Sequence, residues 1–506
     1  MTESRSKKFF YNTLFTALLQ IANIISMLIV PRFMLKYYGS EINGLVTSVT
    51  QFITYFNLVE AGLSNAAIFA LYKPLADKDS RRISSIVSAA RKFYFQAGYI
   101  FVSLTIGLAV FYPLYVGIDS FSPYLVALLV IVLGSNGFLE FFTLAKYRVL
   151  LTADQKTYVV SASSIIHILL QTLIISLLAT LRINIVIVRA VAISSILLRS
   201  IILSTYCKRK YKNVDYKATP DMKALDKRWD AMFLQILGAI HQGTTVVLLT
   251  VIVKDLALVS VYAVFNVVVS GLNSVMGIFN SGLSASFGEV IAKGEKTTLQ
   301  RAYKEFEFGF YMVMTFVFAV AFVMIMPFVK LYTSGITDAN YNMPIVGFLM
   351  VLNGYMYNIK NPQGMLVMSA GMYKETKWRT FTQGAIAVVG GIVLAFPFGI
   401  YGILVAALLS NIYRDFDLLI FSAKRITGLS PLWSFKNVSK SLLIFVLIIL
   451  PFFFININIS SWTMWIIIAC SVCAYAAVVI VTIVVIFDFK MLKSIFVRLK
   501  RIFIRG

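Results

Sequence analysis

Residues 462–487, WTMWIIIACSVCAYAAVVIVTIVVIF, run for 26 positions without one charged side chain. About 20 residues of α-helix are enough to cross the roughly 30 Å of hydrocarbon in a bilayer. The stretch does not alternate apolar with polar, so it is not one strand of a membrane barrel, the other structure that satisfies its own backbone in lipid. It reads as a transmembrane helix. The composition of the 506 residues extends that reading outward: 59% are hydrophobic, 13% are charged, and the mean hydropathy is +0.83. A soluble domain covers its surface with about 25% charged residues, so a largely water-exposed fold is excluded. The chain is expected to be an all-α integral membrane protein.

Similar apolar stretches occur throughout. We place fourteen spans, at 9–35, 42–71, 93–116, 124–142, 158–181, 185–206, 229–253, 256–280, 306–331, 343–371, 381–398, 400–422, 442–457 and 462–487. Of the 46 Lys and Arg, 37 lie in the tails and in the turns after even-numbered spans, against four (Lys36, Arg182, Lys254 and Lys330) on the other side. Lys and Arg concentrate on the cytoplasmic side, so both termini are expected there. The first apolar run is too long for a signal peptide and lacks a small-x-small cleavage site, which makes it an uncleaved span. The net charge of +24 sits in clusters at helix ends, such as Arg81-Arg82 and Lys208-Arg209-Lys210. Those positions face anionic headgroups, so the basic balance points to membrane lipid and away from nucleic acid. Cys207, Cys470 and Cys473 offer no disulfide framework, and the last two are small residues of the final span.

An internal repeat appears at a spacing of 215–217 residues. Leu19-Gln20-Ile21 returns as Leu234-Gln235-Ile236, Asn136-Gly137-Phe138 as Asn353-Gly354-Tyr355, and Lys208-Arg209 as Lys424-Arg425. Residues 149–153, Val-Leu-Leu-Thr-Ala, return at 366–370 as Leu-Val-Met-Ser-Ala. Six spans per repeat give two lobes of equal orientation, an organisation that transporters use with the substrate site between the halves. The expected division is an N-lobe at 1–206, a basic cytoplasmic linker at 207–228, a C-lobe at 229–425, and spans 13 and 14 with a basic tail at 426–506.

Polar residues recur at helical spacing in several spans. Examples are Gln20, Asn57, His167, His241, Gln242, Asn353 and Asn361. They either bond helices to one another or line a hydrated cavity, and their presence in spans 1, 2, 5, 7 and 10 at once favours the cavity. A charge in a span costs several kcal/mol unless it faces protein or water. The cationic ones are Arg32, Arg189, Arg199, Lys360 and Arg414; the acidic ones are Glu60, Glu140, Asp415 and Asp417. Lys360 stands where the first repeat has the neutral Thr143, so packing symmetry does not demand it. It either faces a substrate path or forms a structural pair, and Arg199 and Arg414 are placed to pair with Asp415. Arg32 and Arg189 lie near the outer face and can snorkel to headgroups. A cavity leaning cationic suits a phosphate-bearing ligand, and one that also receives sugars suggests a lipid-linked glycan.

Several stretches carry a resemblance to a known family. Ile29-Val30-Pro31-Arg32, residues 38–45 (Tyr-Gly-Ser-Glu-Ile-Asn-Gly-Leu), residues 60–66 (Glu-Ala-Gly-Leu-Ser-Asn-Ala) and residues 148–156 resemble Wzx-type polysaccharide flippases. These belong to the multidrug/oligosaccharidyl-lipid/polysaccharide exporter superfamily. The resemblance implies two pseudo-symmetric six-helix lobes in a V, alternating between inward- and outward-open states, plus two C-terminal helices. It implies translocation of undecaprenyl-diphosphate-linked oligosaccharide repeat units to the outer leaflet of a bacterial cytoplasmic membrane, for O-antigen, capsule or exopolysaccharide synthesis. The lumenal cations of the family carry over to Lys360 first, then to Arg32, Arg199 and Arg414. Glu60, His167, His241 and Asp417 are candidates for coupling to a proton or sodium gradient. Polysaccharide polymerase machinery is an implied partner.

The main alternative is an ion-coupled multidrug exporter of the same superfamily, for which Glu60 and Glu140 would serve a cationic drug. An enzyme of lipid-linked sugars would need a sizeable outer loop, whereas the longest, at 332–342, holds one carboxylate, Asp338. No catalytic residue, metal site or cofactor is expected, and no Walker A pattern is present to bind ATP.

Overall fold

The computed structural model describes residues 5–117, 121–225, 236, 238–240, 243–455, 457 and 459–505. Among these there is no strand. In chain order the helices are α1 (Arg5–Phe56), α2 (Leu63–Ala76), α3 (Ser80–Tyr115), α4 (Pro123–Leu139), α5 (Ala145–Ala153) and α6 (Thr157–Thr180). Then come α7 (Ile185–Ala192), α8 (Ser194–Lys210), α9 (Gly243–Val253), α10 (Leu256–Ala292), α11 (Lys296–Tyr332) and α12 (Pro344–Ile359). The series closes with α13 (Asn361–Ser369), α14 (Tyr373–Ala385), α15 (Gly391–Ser422), α16 (Pro431–Ile449) and α17 (Trp462–Arg505).

Ten helical runs among the described residues are long and apolar enough to cross a membrane. With that number of spans the chain is a multi-pass membrane protein. Ten differs from the expected fourteen for physical reasons. Two runs, Phe10–Ala76 and Lys374–Thr427, are continuous in hydrogen bonding but turn back on themselves. The first does so at Gly39 (φ 83°), a backbone angle that side-chain-bearing residues seldom adopt. Before it, Lys8, Asn12, Ser26 and Tyr38 bond Asp154, Gln155, Thr172 and Ile183 in ascending order, parallel to α6. After it, Asn43 and Ser48 bond Ser260 and Thr250 in descending order. The second run turns at Gly399 (φ 54°), and a Cβ at Gly402 would collide with the Leu394 carbonyl, which eight residues of straight helix would hold far away. Expected span 7 is described mainly as α9, and span 10 is divided between α12 and α13.

The packing divides the chain into two compact units, Met1–Ser260 and Val261–Gly506. The first is built around Leu45, Leu71, Ile86, Tyr94, Phe101 and Leu129, and the second around Phe265, Tyr303, Tyr311, Phe318 and Tyr355, all fully buried. Large apolar side chains such as Phe111, Phe396 and Ile467 stay exposed, as lipid-facing residues do. The sequence repeat also appears in the backbone. Left-handed residues fall at Gly39 and Lys254, Lys78 and Gly294, Gln155 and Gly371, and Arg182 and Gly399. Each pair is separated by 215–217 positions. Four independent turns therefore share the offset that the sequence motifs show.

Candidate functional site

In the second unit the expected span 10 breaks in its middle. α12 ends at Ile359, Lys360 leaves helical geometry (ψ −6°), and Asn361-Pro362 begins α13. A proline has no N–H to continue the ladder, so it suits the first turn of the new helix. At the same turn the Ile359 carbonyl accepts from the Tyr311 hydroxyl at 3.0 Å. The break turns Lys360 into the protein, where it is 8% exposed. Its Nζ donates to Asn411 Oδ1 at 2.8 Å and lies 4.5 Å from the centre of the Tyr357 ring. Asn411 and Asp415 are one helical turn apart on α15 and share a face. Both Asp415 oxygens are buried with no side-chain donor bonded to them, and Lys360 is the cation that acts on them.

Around this centre the asparagines connect. Asn411 reaches Asn353 Oδ1 at 3.5 Å, and Asn353 donates to the Leu404 carbonyl at 2.9 Å. Asn361 donates to Asn358 at 2.6 Å, and Asn358 donates to Asn273 at 2.7 Å. Lys360 and Asn353 are thus joined through Asn411, while Asn361 belongs to a second set with Asn358 and Asn273. Arg414 is not part of either, nor does it bond Asp415. Its guanidinium donates to Asp417 at 2.6 Å and to Thr380 at 3.0 Å, and Arg379 binds the same carboxylate. The i,i+3 spacing on α15 places Asp417, not its neighbour Asp415, beside Arg414.

Glu307 is the group that sequence reading passed over. It is fully buried in α11, and its carboxylate accepts from Tyr303 (2.8 Å), Gln363 (2.9 Å), Ser434 (2.6 Å) and Asn437 (3.1 Å). Gln363 also donates to Tyr311, whose hydroxyl caps the Ile359 carbonyl at the break. A chain of hydrogen bonds therefore joins Glu307 to the Ile359 carbonyl at the break, next to Lys360 in the chain.

The first unit holds a different constellation. A π-helical turn at Glu140–Leu144 interrupts the fourth span at the residues that correspond, 217 positions earlier, to the break at Lys360. Beyond it Arg148 donates to Glu140 at 2.5 Å and to both oxygens of Glu60 at 2.9 and 3.1 Å. Glu60 ends a 3₁₀ turn, Asn57–Glu60, that interrupts the second span. Arg199 acts electrostatically on Glu140 and Arg148, and His167 is acted on by Arg199 and Glu140. Glu60, His167 and Arg199 thus come together, joined by Glu140 and by Arg148, which lies in helix rather than in the expected turn. Gln20 and Asn57 are exposed and Arg32 is half-buried. His241 and Gln242 lie outside the described residues.

At the basic end of this unit, Asp154 holds Lys8 at 3.1 Å and Lys156 at 2.5 Å, and accepts from Tyr211 at 2.6 Å. Burial opposes its charge, but the bonds from Lys156 and Tyr211 outweigh burial and hold the carboxyl below its ordinary range. Residues 211–225 are not a loose connection. They pack on α3 through Ser88 to the Ala218 carbonyl (2.6 Å), Arg91 to the Tyr216 carbonyl (3.2 Å) and the Asp215 amide to Ser84 (2.9 Å).

No family model matches the sequence, and no curated protein matches it. The fold does match solved structures. An inward-facing multidrug-resistance MATE transporter of the MOP superfamily aligns at TM-score 0.66 and 12% identity, over 80% of this chain and 95% of that one. The lipid II flippase MurJ, in an inward closed conformation, aligns at TM-score 0.62 and 16% identity, over 93% of this chain and 98% of that one. The Vibrio cholerae MATE transporter VcmN aligns at TM-score 0.56 and 15% identity, over 84% and 98%. The chain has the fold of these transporters and flippases, none of which is described as an enzyme.

Proposed function

We propose that the protein is a flippase that moves undecaprenyl-diphosphate-linked oligosaccharide repeat units from the inner to the outer leaflet of a bacterial cytoplasmic membrane, with both termini in the cytoplasm. The observation that carries this reading is Lys360. It is a cation buried at a break in a span, hydrogen-bonded to the neutral Asn411 amide with the Asp415 carboxylate nearby. An interior ammonium with a neutral hydrogen-bond partner can exchange it for a phosphate oxygen, gaining a charge-assisted bond. The likeness to MurJ, a lipid II flippase, supports a lipid-linked substrate. Alternating access around Lys360 would expose the bound headgroup to each side in turn, and substrate would shift the balance only through unequal affinity for the two states. A proton or sodium gradient would drive the cycle, with Glu60, His167 and Asp417 as coupling candidates.

A second reading, an ion-coupled multidrug exporter, draws on the higher TM-score with the MATE transporter and on the carboxylates Glu60 and Glu140. Complementation separates the two. In a bacterium lacking its polysaccharide flippase, wild type should restore surface glycan, and Lys360→Ala should reach the membrane and restore none. Resistance to cationic drugs that survives Lys360→Ala, with no glycan restored in several backgrounds, would transfer the assignment to the exporter.

A further inference from the structure

The first unit carries a second cationic site, separate from the Lys360 centre and independent of the transport reading. Where residues 211–225 dock on α3 they leave a cavity of about 610 Å³ lined by Ser88, Arg91, Lys92, Phe95, Tyr99 and Lys217, among others. Arg91 is fixed in its wall. One guanidinium nitrogen donates to the Tyr216 carbonyl, the plane lies 4.9 Å from the Phe95 ring centre, and Nε is buried with no partner. Behind it stands Lys146, on which both Arg91 and Lys208 act as like charges. Among the described residues no ion pair joins Arg91, Lys92, Lys146, Lys208 or Lys217 to a carboxylate. The Asp215 carboxylate is turned to the Lys217 amide instead.

Three cations, Arg91, Lys92 and Lys217, line this wall with an orphaned guanidinium N–H among them, an arrangement that favours entry of an anion. The remaining lining gives the anion its class. Along α3, Lys92 and Tyr99 are seven residues apart, about 10 Å of helix. One end of the cavity is therefore cationic, and the other is aromatic and open to the outside, Tyr99 being 66% exposed. A cation-to-aromatic gradient of that length at the basic end of a span matches the passage from headgroup to acyl chain. We propose that this groove binds the phosphate headgroup of an anionic membrane lipid, with Arg91, Lys92 and Lys217 on the phosphate and Phe95 and Tyr99 against the first part of the chains. The bound lipid clamps residues 211–225, the connection between the repeats, onto α3.

The test uses the full-length protein in phosphatidylcholine nanodiscs, titrated with short-chain phosphatidylglycerol, short-chain phosphatidylcholine or inorganic phosphate. Binding is read by native mass spectrometry and by the unfolding temperature. Phosphatidylglycerol should bind and stabilise, and Arg91→Gln with Lys217→Gln should weaken it on the order of tenfold or more, two interfacial charges being removed. Arg81→Gln with Arg82→Gln, the same charge change in the neighbouring groove, should leave it unaltered. Arg91→Lys should retain binding, which shows that the Gln variant fails through charge and not through misfolding. Equal retention of both lipids, or equal weakening by the two double variants, would reduce the groove to non-specific surface charge and overturn the proposal. Stabilisation by inorganic phosphate with none by phosphatidylglycerol would make it a site for a free anion and overturn the lipid assignment.

Discussion

Arg91 and Glu307 occupy the same place in the two repeats, 216 positions apart on α3 and α11, and carry opposite charges. In each case the chain that follows the sixth span of its repeat returns to that residue. Tyr216 and Ala218 dock on α3, while Ser434 and Asn437 dock on α11. What differs is the form of the returning segment. Residues 211–225 are irregular and leave an open groove, so a cation can remain there in contact with headgroups or water. α16 is a straight helix that seals Glu307 completely, so its carboxylate must be satisfied from within and is given four donors. One architectural position thus yields a surface site in one repeat and a closed polar core in the other, and the covering element decides which.

The largest expected effect tests the closed member of the pair. Glu307→Ala would orphan donors from Tyr303, Gln363, Ser434 and Asn437 in a dry interior. Interhelical hydrogen bonds in membrane proteins average about 0.6 kcal/mol, so the three from Gln363, Ser434 and Asn437, with the one from Tyr303 within α11, should together cost roughly 2 kcal/mol. Glu307→Gln keeps an acceptor and should lose about half of that. Arg91→Ala, where water can enter, should change stability by less than about 1 kcal/mol. Unfolding of the three variants in one detergent gives the ranking, and an equal loss for Arg91→Ala and Glu307→Ala would remove the distinction between open and closed sites.

Next comes the ion triad of the first unit. Arg148→Gln leaves Glu60 and Glu140 facing one another without the cation that bonds both, Arg199 acting only from a distance. Breaking a buried pair costs about 3–5 kcal/mol, but these side chains are about a quarter exposed, which discounts the loss to about 2 kcal/mol. Restoration of most of that loss by adding Glu140→Gln is expected. If the second change lowers stability further, the triad does not act as a charge-balanced unit.

Lys360 and Asp415 make the corresponding test in the second unit. Lys360→Met should destabilise by leaving Asp415 buried without its cation, and Asp415→Asn should destabilise for the converse reason. The double variant should recover about 1–2 kcal/mol relative to the sum, the usual range for coupled neighbours. A coupling of zero would mean that Asn411 alone holds Lys360.

Why Lys360 was legible in the sequence while Glu307 and Arg148 were not has a physical basis. Hydropathy reports the apolar part of a helix, and Lys360 lies in the middle of one, flanked by Asn361-Pro362, which announces a break. Glu307 is the second residue of the expected span 306–331, where a charge reads as an end residue at the headgroups, and Arg148 lies where helix continues past the apolar window of the fourth span. The repeat was readable because motifs at 136–138 and 353–355 share a spacing, and the left-handed turns repeat that spacing in the backbone. The π turn at Glu140–Leu144 left no comparable trace. Pairing of Arg414 with Asp417 instead of Asp415 depends on which face of α15 meets Thr380 and Arg379, and that is a tertiary fact.

The smallest effect concerns the turns themselves. Lys78 and Gly294 are the same left-handed turn residue in the two repeats, with φ of 55° and 69°. A Cβ at Gly294 would meet nothing within 4 Å, so Gly294→Ala isolates the backbone contribution from packing. The left-handed conformation costs an alanine about 1–2 kcal/mol, partly offset because the variant's unfolded chain has less freedom to lose. A net loss of about 1 kcal/mol is expected. In Lys78→Gly the same two contributions oppose each other with reversed signs, and relief of strain is nearly cancelled by the glycine's unfolded-state entropy, so the change should stay within about 0.5 kcal/mol. Chemical unfolding of the two single variants measures both. If Gly294→Ala proved neutral, the turn at 294 would not be held left-handed in the folded protein, and one of the four matched turns on which the structural repeat rests would be lost.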